Sequence, residues 1–186
     1  MSPILGIFAS SYLSAVGDYE SIATVIVGSG GTSSITFSSI PSTYKHLQIR
    51  YLGRNLSGAG TSDTFIYARF NGDSSSNYAW HYVLGDGSST AASGSSTQAQ
   101  MAFGAITQNG VSANIFAGAI ADILDYSSVN KNKTVRVLSG NDRNGGGVIV
   151  LNSGLWSNSS NAISSMTISS DNGFAQHSSF ALYGVK

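Results

Sequence analysis

The sequence predicts an all-β fold: a single antiparallel β-sandwich of jelly-roll type, with about eleven short strands behind an extended N-terminal arm. Three observations lead there. Apolar and β-branched residues alternate with polar ones at a period of about two along most of the chain. The runs are short, and clusters of Gly, Ser, Asn and Asp, the residues that turns demand, separate them. Helix signals are poor: the best, over 114–124, has Gly118 in its middle, and its Phe116, Ile120 and Leu124 suit a strand as well.

Residues 1–18 form the arm and 19–186 the sandwich. The first strand is expected over 22–27 and the second over 33–37, with Gly28-Ser29-Gly30-Gly31 between them making the pair a hairpin. Leu47, Ile49 and Tyr51 alternate against Gln48 and Arg50 in the third. Runs at 66–70 and 78–84 follow, ended by Asn71-Gly72-Asp73 and Gly85-Asp86-Gly87. Residues 88–96 contain only Ser, Thr, Ala and Gly and read as a mobile loop. Strands resume over 98–106, 114–126, 134–138, 148–156, 163–168 and 179–185. Asn144-Gly145-Gly146-Gly147 leads into a strand and not a helix, which makes it a hairpin turn and not a phosphate cradle. Residues 33–39 resemble 164–170, and 45–53 resemble 133–140, but the order is reversed between the halves. A tandem duplication keeps its order, so these are similar strand environments and not a repeat.

Composition narrows the function classes. Charged residues are 10% of the 186, against about 25% in soluble proteins. Nine basic residues balance nine acidic ones, leaving no basic surplus to release counterions from nucleic acid. Near-zero net charge promotes association. There is no cysteine, so disulfides, thiolate metal sites and cysteine nucleophiles are excluded.

The arm is the most unusual segment. Pro3, Ile4, Leu5, Ile7 and Phe8 make an apolar stretch ahead of a body rich in Ser, Gly and Asn. Left in water, its large side chains forgo roughly 1.5–3 kcal/mol each. No Lys or Arg precedes Lys45, and Gly6 and Ser10 interrupt the run, so it is not a secretory signal. Nowhere does the chain offer the about 20 apolar residues of a membrane-spanning helix. A tail that is disordered or pairs at a sheet edge is the plain reading. A peptide that docks on a neighbouring subunit is the sharper one, favoured by the stiffness of Pro3.

No catalytic constellation stands out. His46, His81 and His177 each lie alone, without ligands at metal-binding spacing. The oxygens of Asn71, Asp73 and Asp86 on neighbouring loops could suit a calcium ion, but no calcium-loop spacing occurs. Asp122 and Asp125, three apart on a strand, point to opposite faces and do not pair across a substrate; a hydrogen-bonding role at a strand end suits Asp125. No G-x-S-x-G elbow is present. Tyr78, Trp80 and Tyr82 share one strand face: core packing is the plain role, a surface that stacks on carbohydrate the sharper one.

Several longer motifs resemble a widespread group of tailed-phage proteins. They are Pro3-Ile4-Leu5-Gly6-Ile7-Phe8-Ala9-Ser10-Ser11, Tyr19-Glu20-Ser21-Ile22-Ala23-Thr24-Val25 and Tyr44-Lys45-His46-Leu47-Gln48-Ile49-Arg50. Arg69-Phe70-Asn71-Gly72-Asp73, Ile123-Leu124-Asp125-Tyr126, Asn130-Lys131-Asn132-Lys133-Thr134 and Ser178-Ser179-Phe180-Ala181-Leu182-Tyr183-Gly184-Val185 complete the set. The resemblance implies a non-enzymatic virion structural protein, assembled in the host cytoplasm, with no catalytic residue, metal or cofactor. Its implied partners are other virion proteins of baseplate, fibre or capsid, further copies in a homotrimer, and a host-surface glycan or protein. Nucleic acid and membrane insertion are not among them. A tail-fibre or baseplate-associated subunit docking by its arm is the leading role, a capsid decoration protein the alternative, and a host-glycan depolymerase the third.

Overall fold

Twelve strands, paired antiparallel throughout, make up the computed structural model, which describes residues 17–186. In chain order they are β1 (Tyr19–Ile26), β2 (Thr32–Phe37), β3 (His46–Gly53), β4 (Asp63–Phe70), β5 (Tyr78–Gly85) and β6 (Thr90–Gln98). Then come β7 (Met101–Thr107), β8 (Ala117–Leu124), β9 (Lys133–Asp142), β10 (Gly147–Trp156), β11 (Met166–Phe174) and β12 (Ser179–Val185). A large sheet has the order β1-β12-β3-β8-β9-β10-β5-β6, and a small one β2-β11-β4-β7. The arm, including Pro3, Ile4, Leu5, Ile7 and Phe8, lies outside the described residues except for Gly17 and Asp18.

Alternation places the core. Leu47, Ile49 and Tyr51 of β3, Val135 and Val137 of β9, and Phe180 and Leu182 of β12 face inward from the large sheet. Ile66, Ala68 and Phe70 of β4 and Met166 and Ile168 of β11 meet them from the small one. β7 is buried along its whole length and lies against β3, β8, β9, β10 and β5. A bulge interrupts its pairing with β4. There Gly104 adopts φ 89°, and the Tyr51 hydroxyl donates to the Phe103 carbonyl at 3.1 Å. A Cβ at Gly104 would stand 2.4 Å from that hydroxyl, so only glycine fits.

Two expectations are corrected. β1 and β2 are not a hairpin: β1 pairs with β12 in the large sheet and β2 with β11 in the small one. The Gly28–Gly31 link, with φ 92° at Gly30 and 72° at Gly31, carries the chain between sheets. Local turn chemistry is the same for a hairpin and a crossover, and tertiary packing selects between them. The segment expected to be a mobile loop at 88–96 is mostly strand β6, which accounts for twelve strands where about eleven were expected. Its backbone groups pair with β5 from Gly85↔Thr90 to Tyr78↔Gln98. It is an edge strand with exposed side chains, so nothing in its sequence needs to be apolar.

Other readings agree with the structure. β9 and β10 form the expected hairpin, with Asn144 at φ 58° and Gly145 at φ 116° in its turn. The similar segments 33–39 and 164–170 are neighbours: Ile35 lies opposite Ile168, and the Thr36 and Thr167 hydroxyls share a hydrogen bond of 3.0 Å. The second similar pair, β3 and β9, flanks β8 on its two sides.

Buried cations fasten the loops. Arg54, 7% exposed, donates from Nη1 to the carbonyls of Ser112 and Ile115 and from Nη2 to those of Asn109 and Val111, at 2.6–3.1 Å. These bonds hold the nine-residue link between β7 and β8. Lys133 is fully buried; its ammonium donates to the Lys131 and Asn158 carbonyls and lies 5.7 Å from the centre of the Trp156 ring. Burial lowers the pKa of both.

Candidate functional site, an apolar sheet face

The outer face of the large sheet carries rows of side chains that run straight across its strands, because register places them directly opposite one another. One row reads Thr24, Ala181, Arg50, Ile120, Leu138, Leu151, Val83 and Ala92 from β1 to β6. The next reads Ile26, Ser179, Leu52, Gly118, Gly140, Ile149, Gly85 and Thr90. Leu52, Val83, Ile120, Leu138, Ile149 and Leu151 stand 46–60% exposed in these rows. Scattered exposed aliphatics need no explanation, whereas a contiguous group marks an interaction surface.

The missing side chain of Gly118 sinks the middle of this face, while at Gly140 the backbone of Val148 and Ile149 packs close against the strand. Leu52, Ile120, Leu138 and Ile149 wall the resulting trough, a volume of about 800 Å³. Among the described residues Arg50 is the only charged one lining it, and it is already engaged. Its Nε donates to Gln48 Oε1 at 2.8 Å, and its guanidinium lies 5.6 and 5.2 Å from the ring centres of Tyr19 and Tyr183. A third row is polar: Tyr183, Gln48, Asp122, Arg136, Ser153 and His81. Within it Gln48 Nε2 donates to Asp122 Oδ1 at 2.9 Å, while Arg136 stands 3.9 Å from Asp122 Oδ2. Apolar middle and neutralised polar border together form a surface suited to contact.

Tyr78, Trp80 and Tyr82 share a face, as expected, but it is the inner one. Tyr78 is 1% exposed and is corrected from a surface-binding to a core residue. Its hydroxyl accepts the Phe70 N–H at 3.0 Å and donates to the Asp73 carbonyl at 3.1 Å, while its ring stacks on Trp156. Trp80 and Tyr82 are half-buried, stacked on each other, with Phe65 against Tyr82 at 4.8 Å between centroids. The small sheet covers this side of β5 through β4 and β7.

The titratable candidates are occupied structurally. Asp73 and Asp86 sit at opposite ends of β5, about 20–25 Å apart along an extended strand, so they do not converge with Asn71 on one cation. The Asp73 carboxylate takes the side-chain N–H groups of Asn77 and Trp156 and the backbone N–H of Ser75, which hold its pKa down at about 2. Asn71 Oδ1 accepts the N–H groups of Ser164 and Ser165, and Asp86 those of Ser88 and Ser89. Asp122 points outward on β8. Asp125 lies just past that strand, where its carboxylate meets Lys131 Nζ at 2.7 Å and its N–H donates to His46 Nδ1 at 2.9 Å. Among the described residues no three His, Asp or Glu side chains gather to hold a metal ion.

Sequence reasoning passed over the outer-face row and one buried ion pair. Asp63 meets Arg143 Nη1 at 2.7 Å and Asn141 Nδ2 at 2.6 Å, tying the start of β4 to the β9–β10 hairpin. Burial pushes the Asp63 carboxyl up, and Arg143 and Asn141 pull it back. The outer face did leave a trace: Val148-Ile149-Val150-Leu151 is an unbroken apolar run, which marks a strand apolar on both faces. Compared with known protein families, with curated proteins and with solved structures, the chain finds no match.

Proposed function

We propose that this chain is a non-enzymatic structural subunit of a phage virion, a tail-fibre or baseplate-associated protein that docks by its apolar N-terminal arm, with a host-surface glycan or protein as a further partner. The observation that carries the reading is the aliphatic row of Ile120, Leu138, Leu151 and Val83 on an exposed sheet face. Such a face is stable in an assembly that covers it. The near absence of net charge supports the same role, and a homotrimer is the assembly proposed.

The jelly-roll form of the sandwich belongs to this proposal. What supports it is the pairing of β1 with β12, β2 with β11, β3 with β8 and β4 with β7. Those pairs form one long two-stranded ribbon, β1 to β4 against β12, β11, β8 and β7, folded so that successive segments alternate between sheets. Two hairpins, β5–β6 and β9–β10, are inserted into that ribbon and widen the large sheet. Jelly rolls recur in viral capsid and lectin domains, although function rests on the site and not on the fold.

Deletion of residues 2–13 tests the reading. The body keeps its cooperative unfolding, while incorporation into virions, read by immunoblot of purified particles, is lost. Normal incorporation of the shortened chain removes the docking role. Binding to empty capsids with a blank glycan array moves the protein to the capsid decoration role, and release of reducing ends from host polysaccharide moves it to the depolymerase.

A further inference from the structure

We infer that the trough on the outer face of the large sheet is the receptor for Ile4, Leu5, Ile7 and Phe8 of a second copy of this chain. The inference rests on the reading of the arm as a docking peptide and names its partner surface. The trough asks for an apolar, uncharged occupant: its walls are Leu52, Ile120, Leu138 and Ile149, and the one charged residue that lines it among the described residues, Arg50, is held by Gln48, Tyr19 and Tyr183. No Lys, Arg, Asp or Glu occurs before Asp18. The floor at Gly118, where an added Cβ would meet nothing nearer than Leu52 Cδ2 at 3.6 Å, gives side chains of an incoming strand space that a flat aliphatic face lacks.

The place where the arm joins the body favours a neighbour's trough over its own. The Lys186 N–H donates to the Asp18 carbonyl at 3.0 Å, so pairing with β12 continues to the very start of β1. Tyr19 lies opposite Val185 at one end of the sheet, whereas the trough rows cross β1 at Thr24 and Ile26. The point at which the arm joins the body therefore lies at the end of β1 away from the trough rows. Fully extended, a stretch of the length from Phe8 to Asp18 would reach up to about 33–36 Å. That length is enough for the apolar group to reach an adjacent copy. The walls at Leu138 and Ile149 belong to the inserted β9–β10 hairpin, so the widening of the large sheet is what creates the receptor.

Because the chain has no cysteine, introduced thiols report unambiguously. Phe8→Cys and Leu138→Cys chains are purified separately, mixed and oxidised. The expected product is a disulfide-linked dimer of the two different chains, lost when Leu138→Cys is combined with Gly118→Phe. A Cβ at Gly118 meets nothing nearer than Leu52 Cδ2 at 3.6 Å, so this side chain fills the trough from its floor without disturbing the sheet; retained cooperative unfolding checks that point. No linked dimer in the mixture overturns the inference. So does self-linking of Leu138→Cys alone, which means two faces pack together, or an internal link in a chain that carries both Phe8→Cys and Leu138→Cys, which means the arm covers its own trough. Virions separate the two levels of the proposal. Particles that need residues 2–13 but accept Gly118→Phe normally overturn the trough assignment and leave the docking arm standing; particles that need neither remove the arm's role as well.

Discussion

Replacing Arg54 by Met tests whether one buried guanidinium organises the link between β7 and β8. The aliphatic stem is kept, so packing changes little, while four carbonyl acceptors lose their donor. Asn109 and Ser112 lie at the surface, and water replaces the lost partner there. Val111 is buried and Ile115 half-buried, and their carbonyls stay short of a donor at about 1.5–2 kcal/mol each, for a loss of about 3–4 kcal/mol. In a protein of this size that lowers the thermal midpoint by about 6–16 °C. Urea titration followed by tryptophan fluorescence measures the loss, and hydrogen exchange locates it: amides of 109–116 exchange faster than the core strands. Arg54→Lys keeps the charge but not the planar fork and recovers about half of the loss. A loss below about 1 kcal/mol, or equal losses for Met and Lys, refutes the reasoning, since neither outcome is compatible with several directed bonds from one group.

Two further substitutions probe the frame around the site. Asp73 holds its carboxyl at about 2 in the folded chain, below the unfolded value of about 3.9, so the unfolded state binds more protons and the stability Asp73 lends is lost as pH falls from about 4 toward 2. Asp73→Asn therefore flattens the dependence of the urea midpoint on pH in that window, and a parallel downward shift at every pH would contradict the linkage. Gly104→Ala places a methyl 2.4 Å from the Tyr51 hydroxyl on a backbone at φ 89°, which costs about 2–4 kcal/mol with an unchanged denaturant slope; a change below about 1 kcal/mol contradicts the bulge as described.

The site was only partly legible in advance. The arm was conspicuous because four large apolar residues stand together in a polar context. The trough was not, because its walls come from β3, β8, β9 and β10, and their alignment is a matter of register between segments far apart in the chain. Tyr78, Trp80 and Tyr82 show the same limit. A period of two places them on one face, but the cover supplied by β4 and β7 decides that this face is the inside.

Local chemistry by itself determined that the chain is all-β, that Leu47, Ile49 and Tyr51 share a face, that 144–147 turns a hairpin, and that the arm is apolar and uncharged. Those properties belong to single residues and their near neighbours. Tertiary structure alone decided that β1 and β2 part into different sheets, that the Ser-rich segment 90–98 is a strand, and that Leu138 and Ile149 wall an exposed trough. Strand pairing satisfies backbone groups that every residue carries, so the partner of a strand and the face left bare are settled by how the whole core closes.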